Sequence, residues 1–382
     1  MATFSKAAKP SDHFDEKTWA GNGGSQAITG LSFSPDIWWI KSRNGGSGAN
    51  DREWLAQNST RGIGKNMHYG ASENSAETST SIITSRDSGG LTLTNDVMIN
   101  ASGDGYIGTF LKAGNASTSS NSDGSITSTV QANTTGGISV VTWTGNATSG
   151  ATVGHGLGTI PDVIWVKNTN DVAHWTGYWH GGNRASQTGG VINETDTQQP
   201  FHVHGAANDD HEYWNDTAPT STVFSIGTKN NVNQSGIDQM AICIANTNGS
   251  VRVGSYFGNG NAYGPFIFTG FKPRAVWICR FDTTNENTSW KTSTTIAIGP
   301  DNSAQEGSGS NHGNPIMHNI KMDSTDNGGP EVANQDNIDF FAQGFGIRTT
   351  DHKSNGDGHI YWYVAWAREP SVSTNKVLGT AV

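Results

Sequence analysis

The sequence predicts an all-β protein made of three tandem related antiparallel β-sandwich modules with long loops rich in Gly, Asn and Ser. Charged residues make up 15% of the chain, against roughly 25% in an average protein, while 49 Gly and 13 Trp are present. Apolar residues alternate with a period of two, as in Leu91-Thr92-Leu93 and Ile126–Val130, and helical periodicity is nearly absent. Such alternation with frequent turn residues is typical of antiparallel sheets.

The third observation is that three segments of the chain repeat one order of features. Each segment opens with a strand and a Gly-Asn turn, at Gly21, Gly145 and Gly258. A short strand follows, then a loop that ends in Pro, then a bulky apolar strand. These strands lie in LSFSPDIWWIKSRN from Leu31, LGTIPDVIWVKNTN from Leu157 and FTGFKPRAVWICRF from Phe268.

A Trp follows each of these prolines by four residues, at Trp39, Trp165 and Trp277. Because the same large aromatic residue recurs at equivalent sites, we expect each Trp to fill the core of its own module. Another Trp recurs one strand later, at Trp54, Trp175 and Trp290.

The far end of each segment also matches, because a Gly turn leads into a last apolar strand. We predict the same hairpin turn at Asp104-Gly105-Tyr106, Ser235-Gly236-Ile237 and Asp357-Gly358-His359, where Gly supplies a positive φ. The predicted organisation is an N-terminal arm at 1–17, a module at 18–116, a linker with a strand at 117–139, modules at 140–249 and 250–370, and a tail at 371–382.

Charge and hydropathy exclude several classes of protein. The formal net charge is -10, which offers no positive field for a phosphate backbone, so we expect no nucleic-acid partner. No apolar run is long enough to span a membrane, and Met1–Pro10 lacks the apolar core of a secretory signal, so we expect no membrane insertion. The two cysteines, Cys243 and Cys279, lie in apolar runs and are predicted to be buried free thiols.

One cluster of ionisable residues lies in PFHVHGAANDDHEYW. His202 and His204 share one face of a strand, and with His211 they could hold a divalent metal. The spacing matches no known zinc motif, and a solvated polar loop has the same composition. We therefore predict no cofactor, and keep the metal as the weaker alternative.

Catalytic patterns are weak. No G-x-S-x-G nucleophile turn is present, which argues against a serine hydrolase. The pair Asp209-Asp210 could serve glycoside cleavage only if the two carboxylates were held apart across a sugar cleft. We expect no enzymatic activity.

The middle module alone carries aromatic residues in polar loops. Amphipathic rings beside Asn and Asp suit stacking on a sugar or on a protein edge, although ordinary loop packing has the same pattern. The hypothesised binding residues are His174, Trp175, Tyr178, Trp179, Tyr213 and Trp214.

The N-terminal arm is a candidate anchor to a larger particle. Phe4 and Phe14 flank a polar stretch with Lys6 and Lys9. Burial of an exposed Phe ring against a partner stabilises the contact by about 1.5 to 3 kcal/mol. The alternative is an arm that frays.

Several strings resemble a family of repeat-built virion proteins of marine tailed bacteriophages, often labelled tail fibre or structural protein. They include KPSDHF, GNGGSQAITGLSFSPDIWWIKSRN, GATVGHGLGTIPDVIWVKN and NGNAYGPFIFTGFKP. The resemblance covers nearly the whole chain. The third module departs from the pattern, with Arg274 where the others have Asp36 and Asp162, and Cys279 where they have Lys41 and Lys167.

The resemblance implies a bacteriophage virion structural protein, assembled in the host cytoplasm and exposed on the particle. We favour a fibre or appendage that contacts a host cell-surface glycan or protein. The alternatives are a capsid decoration (cement) protein that stabilises the head and, in third place, a glycan-degrading tailspike. The expected partners are other virion proteins and copies of the same chain, for which a trimer is plausible.

Overall fold

A computed structural model describes most of the chain. The described residues are 9–42, 54–69, 76–114, 117–173, 175–179, 196–197, 208–209, 211–247, 249–280, 295–298, 318–321, 338–350 and 354–368. They form antiparallel sheets with two helices of four residues each, which confirms the all-β class. Neither helix is long or apolar enough to cross a membrane. Much of the predicted long loops, including most of 299–337, lies outside the described residues.

The first sandwich follows a 3-10 turn at Pro10–Asp12. Its strands are β1 Phe14–Ala20, β2 Gln26–Ile28, β3 Ile37–Ser42, β4 Trp54–Asn58, β5 Lys65–Tyr69, β6 Thr78–Ser79, β7 Ile83–Asp87, β8 Gly90–Leu93 and β9 Gly105–Leu111. The large sheet has the order β1-β9-β3-β4-β5-β6, and the small sheet has the order β2-β8-β7.

The second sandwich takes in the segment predicted as a linker. Its elements are β10 Ser119–Asn121, β11 Ser128–Asn133, β12 Ile138–Thr144, β13 Ala151–Gly154, β14 Val163–Asn168, β15 Thr176–Trp179, β16 Asp196–Thr197, β17 Asn208–Asp209, α1 His211–Trp214, β18 Val223–Ile226, α2 Asn230–Asn233 and β19 Asp238–Ile244. The large sheet runs β10-β11-β12-β19-β14-β15, and β13-β18 and β16-β17 form two small sheets. The linker therefore supplies two strands at the edge of the second large sheet.

The third sandwich completes the described chain. Its strands are β20 Val251–Phe257, β21 Phe266–Phe268, β22 Pro273–Arg280, β23 Thr295–Ile298, β24 His318–Lys321, β25 Ile338–Phe341, β26 Gly344–Ile347 and β27 Ile360–Ala367. The large sheet has the order β20-β27-β22-β23-β24, and the small sheet has the order β21-β26-β25.

The three large sheets share one arrangement of central strands. In each, the last strand lies between the opening strand and the strand that follows the Pro: β1-β9-β3, β12-β19-β14 and β20-β27-β22. The first of these strands begins at Phe14, inside the predicted arm, because Phe14 pairs opposite Leu111. The arm therefore ends before Phe14; the other predicted module bounds stay a prediction.

A buried Asn joins the opening turn of each sandwich to the turn before its last strand. Asn100 accepts a hydrogen bond from the backbone N–H of Asn22 at 3.0 Å. Asn233 and Asn355 make the same contact with Asn146 at 2.9 Å and Asn259 at 3.0 Å. Sequence patterns do not distinguish these three residues, because Asn is abundant throughout the chain.

The glycines in these turns correct one detail of the predicted repeat. Gly236 and Gly358 adopt a positive φ, as expected, but in the first sandwich the equivalent residue is Gly103, with a φ of 90°, and Gly105 begins strand β9. Each turn packs beside the Gly-Asn turn of the opening strand and does not join two paired strands, since Gly236 and Gly358 donate to the carbonyls of Gly145 and Gly258.

Each post-Pro strand is covered on both faces, as predicted for the most apolar runs. In β3, Trp38 and Ile40 pack against the small sheet, whereas Ile37 and Trp39 lie on the opposite face. The same alternation holds for β14 and β22. Each sandwich thus has its own core on the outer side of its large sheet.

The inner faces of the three large sheets form a second, shared core. Trp39, Trp165 and Trp277 meet there, with ring centroids 4.2 to 6.1 Å apart. The prediction that each Trp fills a core of its own module was therefore wrong, because β alternation turns it away from the small sheet and toward the other two sandwiches.

Candidate interaction surface

The hypothesised aromatic binding residues of the middle module are mostly core residues. Trp175 and Trp179 are buried in the shared core, and the Trp179 ring lies 5.4 Å from Trp362 of the third sandwich. Tyr178 and Trp214 are buried in the core of the second sandwich, with ring centroids 5.4 Å apart. The binding hypothesis is wrong for these four residues because their side chains are buried in the two cores and cannot stack on a partner.

The remaining two members of that set are less informative. Tyr213 is half-buried against the second core, and the Lys229 ammonium lies 5.7 Å from its ring centroid. His174 lies outside the described residues. The five described members of the set therefore form no exposed aromatic cluster.

The predicted metal ligands are not brought together by the described part of the chain. His202 and His204 lie outside it, and His211 begins α1 with its side chain outside it. Within the described residues, no group of three or more His, Cys, Asp or Glu side chains could hold a metal ion.

Of the four candidate anchor residues, the structure describes Lys9 and Phe14. Phe4 and Lys6 lie outside the described residues, and Lys9 is exposed just before the 3-10 turn. Phe14 is buried, with its ring stacked 5.1 Å from Trp366, so it is not available to dock elsewhere.

The predicted buried thiol is confirmed for Cys243. It is free and fully buried in the second core, and burial raises the pKa of its thiol to about 12. The side chain of Cys279 lies outside the described residues.

The residue after each Pro forms a contact between sandwiches. Asp36, which is buried, accepts hydrogen bonds from Arg86 of its own sandwich and from the Gln131 amide of the second sandwich at 2.8 Å. Asp162 accepts from Asn246 at 2.6 and 2.9 Å, and the Asn246 side chain in turn accepts from the N–H of Val253 in the third sandwich at 2.6 Å.

Arg274 makes the third contact of this kind and returns to the first sandwich. Its guanidinium lies 2.6 Å from Asp15 and 3.6 Å from Glu16, both in β1 and both buried. The change from Asp to Arg at this position is explained by its partners, because a third carboxylate there would face two others. The three sandwiches therefore form a closed ring of contacts.

The exposed aromatic residues of the described chain concentrate on the third sandwich. Tyr263 is 83% exposed, Phe266 56% and Phe268 61%, and the end of β20 adds Phe257 at 40%. Phe266 and Phe268 stand on the outer face of β21, on either side of the buried Ile267. We call Phe266, Phe268 and the half-buried Phe341 the aromatic face.

Glycines make this face accessible. Phe266 pairs opposite Gly346, and Phe268 opposite Gly344, so the strand between β21 and β25 presents no side chain outward. Phe341, on the far side of Gly344, lies 5.7 Å from the Phe266 ring in an edge-to-face contact. The Phe266 and Phe341 rings therefore contact each other across the backbone of Gly344.

A charged pair borders the aromatic face. The Arg348 guanidinium lies 5.6 Å from the Phe341 ring centroid and donates to Asp339 at 2.7 Å. Aromatic rings beside planar polar groups can bind a sugar ring or a protein surface.

The other two sandwiches lack these rings. By strand register, the residues equivalent to Phe266 are Ala27 and Thr152, and those equivalent to Phe268 are Thr29 and Gly154. Phe266 and Phe268 belong to NGNAYGPFIFTGFKP, one of the strings that carry the family resemblance, and no binding role is predicted for them from the sequence. The available signal was the presence of Phe at both outward positions where the other repeats have small residues.

The chain matches the family model of a domain of unknown function, DUF7483, over residues 9–370. No curated protein and no solved structure matches it.

Proposed function

Since the chain belongs to the DUF7483 family, a domain of unknown function, we propose its role from its own residues: a bacteriophage virion structural protein that contacts the host surface through the aromatic face. The observation that carries the proposal is the exposure of Phe266 and Phe268 on one sandwich only. An exposed cluster of large apolar side chains costs solubility and is typical of an interaction site.

Two further observations support a structural role. The shared core and the ring of contacts fix the three sandwiches together, which suits a protein that must persist outside the cell. The resemblance to virion proteins of marine tailed bacteriophages covers nearly the same residues. Neither observation requires catalysis, and we propose none.

The proposal is tested with the double substitution Phe266→Thr and Phe268→Thr, which gives the third sandwich small side chains at these positions, as in the other two. We expect binding of the purified protein to host cells to fall at least about tenfold, because two exposed rings no longer bury on contact. The matched control is Val172→Thr, which removes an exposed apolar side chain, 68% exposed, from the second sandwich. Equal binding by the double variant and the wild type would contradict the proposal.

The decoration role is separated by position and copy number on the particle. A fibre projects from the particle in few copies, whereas a decoration protein covers the head and protects it against heat. Imaging of intact particles, with mass spectrometry to identify the chain, distinguishes the two, and light scattering measures whether the chain forms the expected trimer.

A further inference from the structure

The edge of β21 is the second notable feature of the third sandwich. Within the described part of the chain, β21 pairs with β26 alone. Pro265 accepts from the N–H of Ile347 at 3.1 Å, and Thr269 donates to Gln343 at 3.0 Å. Because alternate residues of a strand bond to opposite sides, the N–H and C=O of Phe266 and Phe268 point away from β26.

The second sandwich shows how the same edge is covered. There the equivalent strand is β13, and Thr152 is equivalent to Phe266. The segment before β11 lies along it: Ile126 donates to the Thr152 carbonyl at 3.0 Å, and the Thr152 N–H donates to the Ser125 hydroxyl at 2.9 Å. Ile126 also forms a parallel bridge with Val153.

In the described chain, the connection that precedes the third sandwich is too short to supply a corresponding segment. Residues 112–137 separate β9 from β12, and they supply the strip that covers β13. Only residues 245–250 separate β19 from β20, and they turn back through a bridge between Thr247 and Val251. Among the residues that the structure describes, the edge of β21 therefore keeps main-chain donors and acceptors beside two exposed rings.

We propose that the β21 edge binds an extended segment of a neighbouring polypeptide, which adds as a parallel strand in the way residues 125–126 add to β13. The proposal goes beyond the proposed function and does not depend on what the aromatic face contacts. Main-chain hydrogen bonds supply the pairing, and the flanking rings bury against the side chains of the added strand.

The second sandwich also indicates the chemistry of the partner segment. Gly124 runs so close to the Thr152 carbonyl that a Cβ there would collide with it. Two residues later, Ile126 is buried in the second core. The partner strand should therefore have a Gly at the point of closest approach and a β-branched apolar residue two positions after it.

The test uses a labelled peptide with the sequence of residues 117–130, added to the full chain. Its own copy of that segment already covers β13 and has the advantage of being tethered, so the free peptide is left to the β21 edge. We expect saturable one-to-one binding by fluorescence anisotropy. The same peptide with an N-methyl group on the Ile should not bind, because the donor equivalent to the Ile126 N–H is gone.

Two substitutions at one position separate the edge from the ring. Phe266→Pro removes the outward N–H and should abolish binding, whereas Phe266→Thr keeps it and should weaken binding by less than about tenfold. Ala27→Pro, at the equivalent edge of the first sandwich, should leave binding unchanged. The proposal is wrong if the native peptide does not bind or if the N-methyl peptide binds equally well. It is also wrong if Ala27→Pro, and not Phe266→Pro, abolishes peptide binding. Dissociation of a dimer of the chain by Phe266→Pro would likewise overturn it.

Failure of this proposal and failure of the proposed function give different results. The double Thr variant should lose cell binding and retain peptide binding, because it removes both rings and keeps both outward N–H groups. If that variant keeps both cell binding and peptide binding, only the proposed role of the aromatic face is contradicted.

Discussion

The rings of Trp165 and Trp277 lie 4.2 Å apart, although they belong to different sandwiches. Trp39 completes the group, 5.6 Å from Trp277 and 6.1 Å from Trp165. All three are buried. The side chains that identify the repeat in the sequence are therefore the ones that join the repeats, and no sandwich can expose this face without uncovering the other two.

Trp165→Ala is expected to lower the free energy of unfolding by about 3 to 5 kcal/mol, because it leaves a cavity among large rings. The measurement is denaturant unfolding followed by circular dichroism. Wild type and variant should each unfold in a single transition, since the substitution affects a core common to all three sheets. Two transitions, of which only one shifts, would instead indicate independent domains.

Arg274 is expected to matter more than a surface cation. Arg274→Met leaves Asp15 and Glu16 buried without the guanidinium, and removing one side of a buried ion pair costs about 3 to 5 kcal/mol. Unfolding free energies of Arg274→Met, of Asp15→Asn with Glu16→Gln, and of the triple variant give the coupling. The triple variant should be more stable than Arg274→Met. If its loss of unfolding free energy instead equals the sum of the losses in the other two variants, the charges do not interact.

Sequence patterns predicted which residues form strands better than they predicted what the faces of those strands pack against. The all-β class, the Gly-Asn turns and the doubly covered post-Pro strands follow from local alternation and turn chemistry. Whether Trp39 faces its own small sheet or another sandwich depends on how the three large sheets pack. The alternation of side chains along a single strand does not determine that packing. The same gap explains Trp175 and Trp179, whose polar neighbours in the sequence indicated a loop.

The aromatic face was missed for the opposite reason. Phe266 and Phe268 lie in an apolar string, which favours burial, and only the register opposite Gly344 and Gly346 shows them to be exposed. Comparison of the three repeats position by position would have identified them, because the other two have small residues there.

Trp214→Ala is expected to destabilise the second sandwich and leave recognition intact. The ring is buried against Tyr178, so truncation should cost about 3 to 5 kcal/mol. Thermal unfolding measures the loss, and cell binding is measured below the lowered transition. Loss of binding by a folded Trp214→Ala protein would restore the original hypothesis for this residue.

Asn233 is expected to be the most sensitive of the turn residues in the second sandwich. Besides accepting from Asn146, its amide donates to the carbonyls of Gly227 at 2.7 Å and Thr148 at 3.0 Å. Asn233→Ala leaves these buried groups unpaired and should cost about 2 to 3 kcal/mol. Asn231→Ala, in the same helix, is the comparison, and an equal effect of both on the unfolding free energy would contradict the prediction.

His155 is expected to make stability depend on pH. Its ring is buried, with Nε2 3.1 Å from the Thr220 carbonyl and Nδ1 accepting from the N–H of Leu157 at 3.3 Å, a pattern that requires neutral imidazole. Burial lowers its pKa, so below about pH 6.5 the unfolded chain takes up a proton that the folded chain does not. The stability is fully present above that pH and falls by up to about 1.4 kcal/mol per pH unit as the pH drops toward the folded pKa.

Burial also lowers the pKa of His13, so it adds to the slope in the same direction. Denaturant unfolding between pH 7.5 and about pH 5 should therefore show a smaller slope in His155→Gln than in the wild type, and His13→Gln separates the second contribution. Carboxylates contribute equally to all three proteins and cancel in the comparison. An unchanged slope in His155→Gln would show that the folded protein accommodates the imidazolium at this site.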